Sequence, residues 1–300
     1  MARADVRRSN SCAGLSEEDF AELVAIAKLE TGARTWLITT TEKLGGVASK
    51  ALPKIVKRGI ERALAPALTA ANSAASRTHA TSGNGWLDRV AAGASGQTFH
   101  KIAATVSGAA GGALGLATAA GDVLVSTTLV LRSVQEIARG YGADMSDPVA
   151  RADCLSVLAM GGPSSEDDEL DSAFWEMRAG LRIGITEASV TKAVEKGLKT
   201  DVAKRVLASK ATVDILESAA FKKLVERLGI NTQALLIQKA VPVLGGLAGA
   251  ISNYQFMSYY QNMAHVMFRL RAVEARHEEG QVRSCYERVS AALRKNPKAF

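Results

Sequence analysis

Residues 102–142 read IAATVSGAAGGALGLATAAGDVLVSTTLVLRSVQEIARGYG, and how this stretch is understood decides the fold. It opens with twenty uncharged residues, breaks at Asp122, turns apolar again through Leu131 and closes on Arg132, Glu136 and Arg139. Gly108 and Gly112, like Gly111 and Gly115, stand four apart. On a helix each pair leaves a smooth strip where a second backbone can approach closely. The length would suffice to cross a bilayer, but thirteen of the twenty residues from Ile102 to Gly121 are Ala or Gly. A large apolar side chain favours insertion by only about 0.3–0.6 kcal/mol, whereas a central aspartate costs about 2.5–3.5 kcal/mol. The stretch is therefore expected to be a buried helical hairpin rather than a span. Gly121 should end its first helix, and Asp122 should cap the second, from Val123 to Gly140.

Working outward, VPVLGGLAGAISN at 241–253 echoes this pattern, with Gly245 and Gly249 four apart and Asn253 placed to cap a following helix. That helix, Tyr254 to His277, gathers Tyr254, Phe256, Met257, Tyr259, Tyr260, Met263, Met267 and Phe268. The reading is all-α: a single multi-helix domain around two packed glycine-rich helical hairpins, with 102–142 touching 241–253. Composition agrees. In 300 residues the hydrophobic fraction is 47% but aromatics are only 5%, and there are six prolines. Ala and Leu are the strongest helix formers, and small side chains allow short distances between helix axes.

The N-terminal residues 1–15 have arginines without a following apolar run, so they are expected to be a disordered tail and not a secretory signal. The helical domain is then 16–295. Ser16 ahead of Glu17, Glu18 and Asp19 has the form of a capping box. A helix should run from there toward Glu30, break near Gly32, and resume until Gly45. Residues 50–64, KALPKIVKRGIERAL, form a basic amphipathic segment, and 73–85 a polar loop. Tyr141-Gly142 should close one helix and Asp147-Pro148 open the next. The acidic run 165–169 lacks the spacing and central glycine of a calcium loop.

The formal charge is +7 overall, about +4, −4 and +7 by successive thirds. The basic last third could face anionic lipid. Cys12, Cys154 and Cys285 are few, odd and far apart, so neither a disulfide framework nor a metal pair is expected, and a reducing compartment fits.

Asp122, Thr127, Thr128, the string LRSVQEIARGYGAD at 131–144, and the later Pro242, Gly245, Gly249, Asn253, Phe268, Arg271 and Glu274 carry a resemblance to the EcsC protein family. It covers about residues 35 to 280. The resemblance implies a bacterial helical protein of a family named for a member encoded beside an ABC-type transporter. It carries no catalytic residues with it.

No nucleophile elbow, zinc-helix motif, phosphate loop or dinucleotide fingerprint is present. No cofactor and no metal is implied. The candidate functional cluster is Asp122, Thr127, Thr128, Arg132, Glu136, Arg139, Asn253, Tyr254 and His265. Arg132, Glu136 and Arg139 have helical spacing for an ionic cluster, and His265, among Met263, Val266 and Met267, is expected to be a hydrogen-bonded core histidine. The balance is against an enzyme. The expected function is binding of lipid, a hydrophobic ligand or a membrane protein at the cytoplasmic membrane surface, with an anionic membrane surface or an ABC-type transporter as partner. The alternatives are a hydrolase-type enzyme with a cleft near Asp122 and His265, or a helical adaptor to the transporter. Nucleic acid is a poor fit, because the basic residues lack interleaved stacking aromatics. The expected location is cytoplasmic, peripheral to the inner membrane.

Overall fold

The computed structural model describes residues 6–7, 9–45, 119–145, 147–160, 175, 178–180 and 245–300, and all regular structure among them is helical. The basic segment 50–64, the glycine pairs between 108 and 115, the acidic run 165–169 and Pro242 lie outside the described residues. Five helices organise the rest: α1 (Glu17–Gly45), α2 (Ala119–Gly140), α3 (Pro148–Val157), α4 (Gly245–Glu274) and α5 (Glu279–Lys295).

Helix α1 starts as its first residues dictate. The Ser16 hydroxyl accepts from the Asp19 amide at 3.0 Å and donates to Asp19 Oδ2 at 2.8 Å, so one orphan donor of the first turn is satisfied. The expected break at Gly32 does not occur, and the helix is continuous for 29 residues. A lone glycine costs a helix only about 1 kcal/mol. Packing on both sides of it outweighs that: Phe20, Leu23, Val24, Ile26 and Ala27 are buried before it and Ala33 after it. Glu30 and Arg34, one turn apart, pair at 2.7 Å across the same point.

Asp122 is likewise not a cap. Helix α2 is already under way at Ala119, so Gly121 and Asp122 lie within it. Its buried arc of Thr127, Val130, Leu131, Val134, Ile137 and Ala138 is the one a 100° spacing groups together, and Ser133 and Gln135 on its two flanks are buried too. The end of α2 follows expectation in detail. Gly142 has φ +81. Its amide donates to Arg139 O at 2.9 Å, and the Ala143 amide donates to Ala138 O at 3.0 Å. These two bonds are the glycine-closed helix end that satisfies the last carbonyls. Helix α3 opens on Asp147, whose carboxylate accepts from the Val149 amide at 2.9 Å, with Pro148 in the first turn.

Helix α4 is the spine, packing against α1, α2, α3 and α5. It passes through Asn253 without a break, so the expected re-capping there is overturned and Gly245 and Gly249 belong to the same helix as Tyr260. The thirty residues span about 45 Å. Its buried side includes Met257, Tyr259, Tyr260, Met263, Val266, Met267, Phe268 and Leu270. The Tyr259 and Tyr260 hydroxyls donate to the carbonyls of Met160 and Leu158, which fixes the C-terminal end of α3 on the spine. Helices α2 and α4 run side by side in the same direction: Ser133 receives a hydrogen bond from Gln261, and eight residues on, Tyr141 meets His265 and Phe268.

Residues 9–15 are not a disordered tail. Asn10–Cys12 forms a 3-10 turn, Val6, Cys12 and Leu15 are buried, and Arg7 donates to the carbonyls of Cys12 and Leu15. The pairing absent from expectation is also here: Cys12 is disulfide-bonded to Cys285 of α5, 273 residues away. Only the fold brings these two together, which is why counting cysteines along the chain does not find them. Cys154 is the remaining thiol, buried.

A charged cleft between helices α1 and α4

Where the first turn of α1 crosses the last turns of α4, a cleft of about 430 Å³ opens, lined by Glu18, Asp19, Ala21, Glu22, Tyr141, Arg269, Ala272, Val273 and Arg276. This volume lies within the range of small-molecule sites. Arg269, Ala272 and Val273 of α4 form one wall, and Arg276 extends it from the turn just past Glu274. On the α1 wall, Glu18 and Glu22 are one turn apart and face the same way.

Two ion pairs join the walls. Arg269 donates Nε to Glu22 Oε1 at 2.7 Å and Nη2 to Oε2 at 2.9 Å, a two-pronged clasp. Hydrogen bonding to Glu22 pushes the Arg269 guanidinium further above its ordinary range, so it stays charged. Arg276 donates Nε and Nη2 to Asp19 Oδ1 at 3.1 and 2.5 Å. Asp19 Oδ2 meets His277 Nε2 at 2.7 Å and receives the Ser16 hydroxyl. The His277 contact chiefly holds the Asp19 carboxyl well below the usual carboxylate range; burial opposes it, and Arg276 and Ser16 add to the lowering. Both arginines spend Nε and Nη2 on carboxylates and leave the Nη1 edge out of these pairs.

Tyr141 forms the end wall, placed there by the glycine turn that closes α2. Its ring stacks on Phe268 with centroids 6.4 Å apart and stands edge-on to His265, and its hydroxyl lies 3.1 Å from His265 Nδ1. It is 43% exposed, one of two large hydrophobic residues exposed among those described. Burial raises the Tyr141 hydroxyl above its ordinary range, and burial with the nearby Arg269 charge lowers His265. Both groups are therefore neutral near pH 7.

Of the residues singled out from sequence, only His265 reaches this cleft, through Tyr141, and it is half-buried rather than a core residue. The Asp122 backbone lies far along α2 from it. Nineteen residues separate Asp122 from Tyr141 along α2, about 28 Å of helix. Thr127 is buried, Thr128, Arg132 and Glu136 are half-buried, and Arg139 is exposed, none of them lining the cleft. Asn253 lies within α4, and Tyr254 is the other exposed aromatic. The residues that build the cleft were missed because each looks ordinary alone: Glu18, Asp19 and Glu22 as a helix start, Arg269 and Arg276 as a basic surface. The seven-residue spacing of the two arginines was the signal available.

A second charged cluster is closed. Arg178 grips Glu274 with both terminal nitrogens at 2.6 Å and lies 3.5 Å from Asp153, which also receives Arg271 at 2.8 Å. Arg178 and Asp153 have no exposed surface. The guanidiniums of Arg178 and Arg283 lie 5.5 and 5.7 Å from the centre of the Trp175 ring. Here each charge is answered within the cluster, which makes it a strut between α3, α4 and α5 rather than an open site. The neighbouring Cys154 thiol is raised by burial, so it is a poor nucleophile. Among the described residues no three metal-ligating side chains converge, and no helix is long and apolar enough to cross a membrane.

A family model described as the EcsC protein family matches residues 22–273. Comparison with curated proteins and with solved structures finds no match. The matched span contains Glu22, Tyr141, His265 and Arg269 of the cleft, together with Asp153, Arg178 and Arg271 of the buried strut.

Proposed function

The chain belongs to the EcsC protein family, and we propose that it is a non-catalytic binding protein that uses the α1–α4 cleft to engage a ligand at a membrane surface. One observation carries this reading: the cleft is open, yet Asp19, Glu22, Arg269 and Arg276 on its walls are locked in ion pairs between two helices. Such pairs hold a shape and a charge pattern. They make poor acid–base groups, because a carboxyl held far below its usual range gives up its charge reluctantly and an arginine does not titrate near neutrality. The basic last third of the chain supports the membrane part of the reading, with Arg288, Arg294, Lys295 and Lys298 exposed on and after α5. Each such residue near an anionic surface adds about 1 kcal/mol of attraction. Flotation of the purified protein with vesicles, with and without anionic lipid, is the test. Co-flotation or co-purifying lipid supports the reading; no binding under either condition and no lipid by mass spectrometry removes it.

A second reading, a hydrolase-type enzyme, keeps one specific observation in its favour: the Tyr141–His265 hydrogen bond at the cleft edge, between two neutral groups able to pass a proton. It requires a substrate held against Tyr141 rather than near Asp122. Screening of ester and amide substrates against wild type and His265→Ala separates the two readings.

A further inference from the structure

The charge pattern of the cleft selects the chemistry of its ligand. A purely anionic ligand would meet Glu18, Asp19 and Glu22, and a purely cationic one would meet Arg269 and Arg276. Formal charges on the lining sum to −1: Arg269 and Arg276 answer Glu22 and Asp19, and Glu18 stands outside those pairs, so an anion alone is repelled while a ligand of both signs can use Glu18 and the outer edge of Arg276. A short zwitterion is attracted by both. We infer that the cleft binds a zwitterionic group, an ammonium joined to a phosphate or carboxylate, such as a phosphoethanolamine or phosphocholine headgroup.

The walls also set its direction. Glu18, exposed and outside the ion pairs, lines the same cleft as the exposed Tyr141 ring, whereas Glu22 is already held by Arg269. A carboxylate beside an aromatic face is a site for an ammonium group, attracted by charge and by the ring's π-face. Phe268 and His265 hold that ring in place, so binding does not have to order it. Arg276 is 54% exposed and its Nη1 edge is outside the Asp19 pair, which leaves a charge-assisted donor for a phosphate or carboxylate oxygen. Ala272 and Val273 also line the cleft. The ligand could be a lipid headgroup or a soluble zwitterion, and both present the same chemistry to the cleft.

This inference rests on the binding reading above, and the two fail separately. Phosphoethanolamine in solution is titrated calorimetrically into wild type, Glu18→Lys and Tyr141→Leu, while flotation compares vesicles of phosphatidylethanolamine with phosphatidylcholine against vesicles of phosphatidylglycerol. Glu18 and Tyr141 are exposed and outside the ion pairs that join the helices, so both variants should keep the fold, checked by thermal melting. Binding of phosphoethanolamine that weakens about tenfold or more in either variant supports the zwitterion site. If zwitterionic vesicles also float with the protein and soluble phosphoethanolamine competes, the source is a lipid headgroup; titration without flotation points to a soluble zwitterion. Flotation on phosphatidylglycerol alone, with no phosphoethanolamine binding, overturns the zwitterion site and leaves the membrane reading intact. No binding to any probe overturns both.

Discussion

Arg178 and Glu274, 96 residues apart, meet through two hydrogen bonds of 2.6 Å, with the arginine side chain fully buried. Asp153 and Arg271 complete the cluster, so the charges balance two against two. Removing one member leaves an uncompensated buried charge, which costs about 3–5 kcal/mol. Arg178→Met and Glu274→Leu should each lower unfolding free energy in urea by that order. The double variant should recover much of the loss, because each buried charge then loses its partner together with itself. A double variant no better than the sum of the singles would show that the pair is not the unit.

The Asp19 cluster makes a prediction about acid. Its carboxyl is held below the ordinary range, so its contribution to stability is fully present above the unfolded carboxylate pKa of about 4 and is lost as pH falls below that value. Thermal melting of wild type and Asp19→Asn should therefore differ most at pH 6 and above and converge on strong acidification. A gap that widens in acid would mean the carboxyl is not stabilised by its partners.

Much of this was readable locally and some was not. The Ser16 and Asp147 caps and the Gly142 closure were legible because each depends on a few neighbouring residues whose hydrogen bonds are made within one turn. Asp122, Gly32 and Asn253 look equally like boundaries, yet helices run through all three, because whether a helix stops is decided by what packs on both sides of the candidate. The cleft was hidden for a related reason. Glu22 and Arg269 are 247 residues apart, and neither carries a mark of its partner. The family resemblance named Phe268, Arg271 and Glu274, which turn out to stack under Tyr141 and to build the buried strut, without saying what they do.

Two glycines give opposite expectations. Gly142 sits at φ +81, where a β-carbon is disfavoured, so Gly142→Ala should cost about 1–2 kcal/mol although nothing stands within 4 Å of the added atom. Gly32 lies inside α1 with equally open surroundings, and Gly32→Ala should gain about 0.5–1 kcal/mol. Chemical denaturation of the two variants measures both. Equal effects would contradict either the turn at 142 or the helix through 32.

The Cys12–Cys285 bond ties the N-terminal segment to α5 and closes a very long loop, so its loss should cost about 2–5 kcal/mol. Peptide mapping without reductant should recover the linked pair from protein isolated under thiol-blocking conditions, and the melting temperature should fall on reduction. Free thiols at both positions in such a preparation would show that the protein works in a reducing compartment with the bond open.

The cleft between α1 and α4 is tested most directly by photo-crosslinking. Vesicles containing a phosphatidylethanolamine with a diazirine at the glycerol end of its acyl chain are irradiated with the protein, and adducts are mapped by mass spectrometry. Adducts at Tyr141, on residues 18–22 and on residues 269–276, displaced by soluble phosphoethanolamine, are the predicted result. Adducts confined to other helices and indifferent to phosphoethanolamine would contradict it.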